Sequence, residues 1–133
     1  MNPRYAQIAL RAGHRCEYCH APEAVFNFPF EVEHIIPVSR GGCDAESNWA
    51  LACRSCNLRK ATHVNGIDPL SQTVVRLFQP REDRWEEHFW VNTENGEIEG
   101  LTAVGRATAA RLEINSKAQK EARRQWIRFG LFP

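Results

Sequence analysis

Apolar residues near the start recur at helical spacing. Tyr5, Ile8, Ala9 and Ala12 share one face of a short helix, with Asn2 as its cap, Pro3 in its first turn and Gly13 as its stop. Residues 26–30 and 31–36 are rich in aromatic and β-branched side chains and read as extended. Pro37 ends the second run, and Arg40-Gly41-Gly42 forms a loop. Residues 48–52 lead into a cysteine turn, after which residues 57–61 start a helix. Asn65-Gly66 and Asp68-Pro69 mark a turn-rich connection. Strand character returns over residues 73–78, 87–92 and 97–102, with Asn95-Gly96 as a hairpin signal between the last two. Two helices close the chain, over residues 105–114 and 116–129, the second capped by Ser116. On the last helix Ala118, Ala122, Trp126 and Phe129 repeat as an apolar face opposite a basic one.

Composition narrows the class. The chain has 133 residues, enough for one small domain whose core would gain from a metal staple. No apolar run is long enough to span a bilayer. Arg4, Gln7 and Arg11 interrupt the opening residues, so no secretory leader is read there and a cytoplasmic location is the default expectation. The formal net charge of +1 hides an asymmetry. Acids dominate residues 81–100, whereas Arg106, Arg111, Lys117, Lys120, Arg123, Arg124 and Arg128 outweigh Glu113 and Glu121 beyond them. A basic end on a near-neutral protein points to a polyanionic partner.

Cysteine spacing carries the first specific chemistry. Four of the five cysteines form two Cys-x-x-Cys turns, Cys16/Cys19 and Cys53/Cys56. In a reducing compartment that pattern favours a metal over disulfides, and four thiolates suit tetrahedral zinc. The competing reading is buried, unligated cysteines at a coincidental spacing. Cys43 has no partner at the right offset and reads as a free thiol. The long gap between the two turns requires folded chain inside it.

That insert holds Glu31-Val32-Glu33-His34-Ile35-Ile36-Pro37, then Arg40-Gly41-Gly42, then Asn48; Asn57 and Lys60 follow the second turn. Alternation along a strand places Glu31 and Glu33 on one face and His34 on the other. A carboxylate beside a histidine offers a hard oxygen ligand next to a base, the two requirements of phosphodiester hydrolysis. Residues 16–60 resemble the HNH endonucleases in their zinc-stapled form, through the succession Cys-x-x-Cys, acid-His-Ile-x-Pro, Gly-Gly, Asn and Cys-x-x-Cys-Asn-x-x-Lys. The resemblance covers about a third of the chain. It implies a ββα-metal fold in which Glu33 and Asn57 ligate a catalytic Mg²⁺ or Mn²⁺, His34 is the general base, and Asn48 orients that base. Glu31 matches an often acidic position that supports the metal. Two departures are a glutamate where many members have aspartate, and Ala61 where some carry a further histidine.

Together these readings predict a small α+β protein. Residues 1–66 form the HNH core with its structural zinc, and residues 67–133 add short antiparallel strands and C-terminal helices packed on the same domain. The expected activity is metal-dependent hydrolysis of DNA phosphodiester bonds by a monomer or homodimer. Arg40, Arg59, Lys60, Lys117, Lys120 and Arg124 are candidate DNA contacts. The alternative is an inactive, zinc-stabilised DNA-binding module. His63 reads as linker decoration, and Trp85, Trp90 and Trp126 read as core.

Overall fold

The computed structural model describes residues 2–133, which fold as two compact units. One comprises the residues up to Val64 together with Gln79–Glu82; the other comprises Asn65–Phe78 and Asp83–Pro133. Among the described residues no helix is long and apolar enough to cross a membrane.

The first unit opens with helix α1, Tyr5–Arg11. Asn2 does not cap it directly; its Oδ1 accepts from the Arg4 N–H at 2.7 Å and so shapes the turn that enters the helix. Ile8 and Ala9 are buried, as the spacing predicts, and Gly13 turns the chain out at φ 63°. Residues 26–30 are not a strand. A single 3₁₀ turn, Glu23–Val25, precedes them, and the Phe26 and Phe30 rings meet edge to face with centroids 4.8 Å apart. The Phe30 N–H is spent on the Glu23 carboxylate at 2.6 Å, which also receives the Tyr5 hydroxyl at 2.6 Å and His14 Nδ1 at 2.8 Å.

Strand β1, Glu31–His34, pairs antiparallel with β2, Trp49–Ala52, in the register Glu31↔Ala52 to His34↔Trp49. Helix α2, Arg54–Lys60, follows and packs on the hairpin. The order is β–β–α, with the core drawn from Ile8, Tyr18, Leu51, Ala52 and the four buried cysteines. Gln79–Glu82 completes this unit through an ion pair of Arg81 with Glu17.

In the second unit Asn65-Gly66 lies inside a strand rather than a turn. Strand β3, Asn65–Ile67, pairs antiparallel with β4, Val74–Arg76. The turn falls on Asp68, whose carboxylate accepts from Leu70 N–H at 3.0 Å and from Ser71 Oγ at 2.7 Å. One helical turn, α3 (Trp85–His88), leads into β5, Phe89–Val91, which pairs with β6, Ile98–Gly100. The hairpin signal at Asn95-Gly96 serves a longer loop than the two-residue form. Asn92 N–H donates to Glu97 O at 2.8 Å, and Gly96 sits in the loop at φ 77°. Helices α4, Ala103–Arg111, and α5, Lys117–Arg128, are capped by the Thr102 and Ser116 side chains.

Helix α5 departs from the apolar stripe expected of it. Ala118 is exposed and Phe129 is 73% exposed. The buried centre of the helix is Arg123, fully enclosed, donating to Gly96 O at 2.7 Å and Ile114 O at 3.0 Å. A helix that offers two carbonyls a rigid guanidinium fork can bury an arginine at its packing face. Trp85 packs on Phe89 and Trp126 on Phe132, but Trp90 is half exposed and is not core.

Candidate functional site

Both cysteine turns arrive at one place. The sulfurs of Cys16, Cys19, Cys53 and Cys56 lie within 4.8 Å of one another, and all four residues are buried. Cys53 caps α2, its sulfur accepting from the Cys56 N–H at 3.5 Å. A tetrahedral ion with Zn–S bonds of about 2.3 Å sets its sulfurs about 3.8 Å apart. Cys19 and Cys53 stand at 3.8 Å. Hydrogen bonding to the sulfurs of Cys16, Cys19 and Cys53, then burial, pushes the Cys56 thiol well above its usual range. A central dication is what makes four such thiolates compatible. Donor set, spacing and burial therefore fit a structural zinc. Cys43 is exposed and stands outside the cluster.

Asn48 ties the loop after β1 to the start of β2. Its Oδ1 accepts from Ile36 N–H at 2.9 Å, and its Nδ2 donates to Ile36 O and Cys43 O at 2.8 Å each. The residue is 5% exposed. Gly42 is required beside it, because a Cβ there would fall 1.8 Å from Ile36 O and 2.9 Å from Asn48 Nδ2. Asn48 thus acts on the backbone that follows His34 rather than on the imidazole itself.

The two faces of β1 hold different chemistry, as strand alternation predicts. On one face Glu31 accepts from the Asn57 amide and from Arg54 Nη1, the latter at 3.1 Å. Glu33, on the same face, is deeper and 7% exposed. It accepts from the Tyr18 hydroxyl and pairs with Lys60 Nζ at 3.1 Å. Burial pushes the Glu33 carboxyl above its ordinary range, although Lys60 and Tyr18 pull the other way. Lys60, offered by the sequence as a phosphate contact, is 1% exposed and donates to Ile35 O at 2.7 Å. Its ammonium serves the interior of the ββα unit, so it is withdrawn from the DNA-contact set.

On the opposite face His34 is half exposed and stands edge to face with Trp49, centroids 6.5 Å apart. Its Nε2 is 3.0 Å from Asp44 Oδ1, which also accepts from Trp49 Nε1 at 3.2 Å. The structure therefore brings Glu31 to Asn57 and Glu33 to Lys60, while His34 meets Asp44. Sequence reading passed over Asp44, Tyr18 and Arg54. Of these only Asp44 left a signal, an acid four residues before Asn48 in the loop that Asn48 pins.

Arg40 and Arg59 are exposed on this unit, with Arg40 Nε donating to Thr62 O at 2.7 Å. On α5 of the other unit Lys117 and Arg124 are exposed and Lys120 is half buried; Arg124 lies 3.2 Å from Glu121.

Residues 16–63 match the family model of the HNH endonucleases. No curated protein and no solved structure shows a significant match to the chain. The matched segment spans both cysteine turns, β1, the Asn48 clamp, β2 and α2. With the four sulfurs gathered at one point, residues 16–63 are similar to the HNH endonucleases in the form stapled by four cysteines.

Proposed function

We propose that this protein is a metal-dependent DNA endonuclease that hydrolyses phosphodiester bonds. The observation that supports it most is the setting of His34. It is a half-exposed imidazole at the end of β1, within a segment matching a nuclease family, on a strand whose other face carries Glu31 in contact with Asn57. In this reading His34 takes a proton from an attacking water. The water oxygen then bonds to phosphorus and the bond to the leaving sugar oxygen breaks. Asn48 fixes the backbone next to His34 so that the imidazole meets the phosphate in one orientation.

A divalent ion, Mg²⁺ or Mn²⁺, would be held by Glu33 and Asn57 with Glu31 in support. Carboxylate and amide oxygens suit a hard cation. When bound, the ion would supply stabilisation of charge on the scissile phosphate. Glu31 and Asn57 fit that role as neighbours, whereas Glu33 would exchange part of its pairing with Lys60 and Tyr18 for the ion. Arg40 and Arg59, with Lys117, Lys120 and Arg124 on the other unit, would contact backbone phosphates. The zinc holds the two knuckles and takes no part in the chemistry.

One observation favours a second reading, a zinc-stapled DNA-binding module without cleavage: the Glu33 carboxylate is already satisfied inside the protein. Plasmid cleavage by zinc-loaded wild type and His34→Ala, with Mg²⁺, Mn²⁺ or EDTA, separates the two. Nicking or linearisation that requires added metal and disappears in folded His34→Ala establishes the nuclease. DNA binding by both proteins with no cleavage under any metal establishes the binding module.

A further inference from the structure

We propose that Asp44 is a positioning residue that holds the His34 imidazole with its proton on Nε2, leaving Nδ1 as the basic nitrogen. The inference rests on the nuclease reading above and adds a residue to it.

A neutral imidazole carries one N–H and one lone pair, and the partner of one nitrogen decides the role of the other. Here Nε2 is 3.0 Å from Asp44 Oδ1, and an ionised carboxylate can only accept, so Nε2 is the donor. The carboxylate is itself held. Trp49, directly opposite His34 in the β1–β2 register, donates its indole N–H to the same oxygen at 3.2 Å. The loop carrying Asp44 is anchored one residue earlier, where Cys43 O accepts from Asn48 Nδ2 at 2.8 Å. Asn48 therefore fixes the loop, Trp49 fixes the carboxylate, and the carboxylate fixes the ring. The hydrogen bond from His34 is also the first reason why the Asp44 carboxyl lies below its ordinary range. When His34 takes a proton from water and becomes a cation, the same carboxylate stabilises it, as the aspartate of a catalytic triad does.

The proposal is tested on zinc-loaded protein with Asp44→Ala, Asp44→Glu and Glu46→Gln. The last removes a neighbouring exposed acid of the same loop region and controls for net charge. Long-range ¹⁵N–¹H NMR reads the His34 tautomer without any cleavage. Nicking of a labelled duplex gives kcat and KM. The expected result is a dominant Nε2–H tautomer in wild type and Glu46→Gln, lost in Asp44→Ala. With it goes a fall in kcat of about tenfold to a hundredfold, a share of what a general base contributes, while KM stays within a few-fold. Asp44→Glu recovers part of both.

An unchanged tautomer in Asp44→Ala overturns the proposal whether or not the wild type cuts DNA. So does an unchanged kcat. A wild type that holds the tautomer through Asp44 yet cuts nothing overturns the nuclease reading instead, and leaves the hydrogen bond standing without catalytic purpose.

Discussion

Replacing Asn48 asks how much of the ββα unit depends on one amide. Three hydrogen bonds between 2.8 and 2.9 Å converge on this nearly buried side chain, and all three of its partners are backbone groups of residues 36 and 43. Asn48→Ala leaves one N–H and two carbonyls without that partner. At about 1 kcal/mol net for each hydrogen bond, the loss is about 3 kcal/mol, a large part of a marginal stability of about 5–15 kcal/mol. Asn48→Asp is the sharper test. The shape is kept and one oxygen still accepts from Ile36 N–H. The second oxygen, however, faces two carbonyls at the 2.8 Å spacing and has nothing to donate. The isosteric change should therefore cost at least as much as truncation to alanine. Equilibrium urea unfolding of zinc-loaded protein, followed by the amide NMR signals of residues 31–52, measures both. Wild-type stability in Asn48→Asp would refute the reasoning, because it would mean that the Nδ2 donor is not what holds residues 36 and 43.

Other outcomes follow from neighbouring features. A strong chelator should unfold the knuckle region, since structural zinc contributes about 10–16 kcal/mol of apparent binding energy against a smaller intrinsic stability; amide NMR signals of residues 16–60 should collapse on chelation and return with zinc. Arg123→Leu should cost about 2–4 kcal/mol in thermal unfolding by stranding the carbonyls of Gly96 and Ile114, whereas Lys117→Gln on the exposed face should stay within about 0.5 kcal/mol. Glu23 predicts an acid limb. Burial raises its carboxyl, but hydrogen bonds from Tyr5, His14 and the Phe30 N–H outweigh that and hold it below the ordinary glutamate range. Its contribution is therefore complete above the unfolded-state pKa and disappears as pH falls through the lower folded value. The stability gap between wild type and Glu23→Gln should be constant near neutral pH and close below about pH 4.

What the sequence discloses depends on how local the cause is. Cys16, Cys19, Cys53 and Cys56 are legible because ligand spacing within each turn is a local property and thiolate chemistry has few other uses. The face separation of Glu31 and Glu33 from His34 follows from strand alternation alone. The partner of His34 does not, since Asp44 is set by a loop whose path depends on Asn48, a tertiary clamp without periodicity. Lys60 and Arg123 mislead for a related reason. Cationic side chains are normally solvated, and only the folded positions of Glu33 and of the Gly96 and Ile114 carbonyls show that these two are enclosed. Residues 26–30 have β composition, but with the Phe30 N–H already given to Glu23 that segment forms no ladder.

The return of Gln79–Glu82 to the first unit makes that unit discontinuous along the chain, although its HNH-matching segment is not. Glu17 binds Leu51 N–H at 2.8 Å through one oxygen and Arg81 through the other, and its side chain is only 11% exposed. A message terminated anywhere in the intervening stretch would still encode every cysteine and every residue proposed for catalysis. It would also yield a polypeptide whose first knuckle carries a half-enclosed carboxylate with its counter-ion deleted. An excised fragment intended for study, and any natural shortening of the reading frame, must reach past Arg81 to keep that charge balanced.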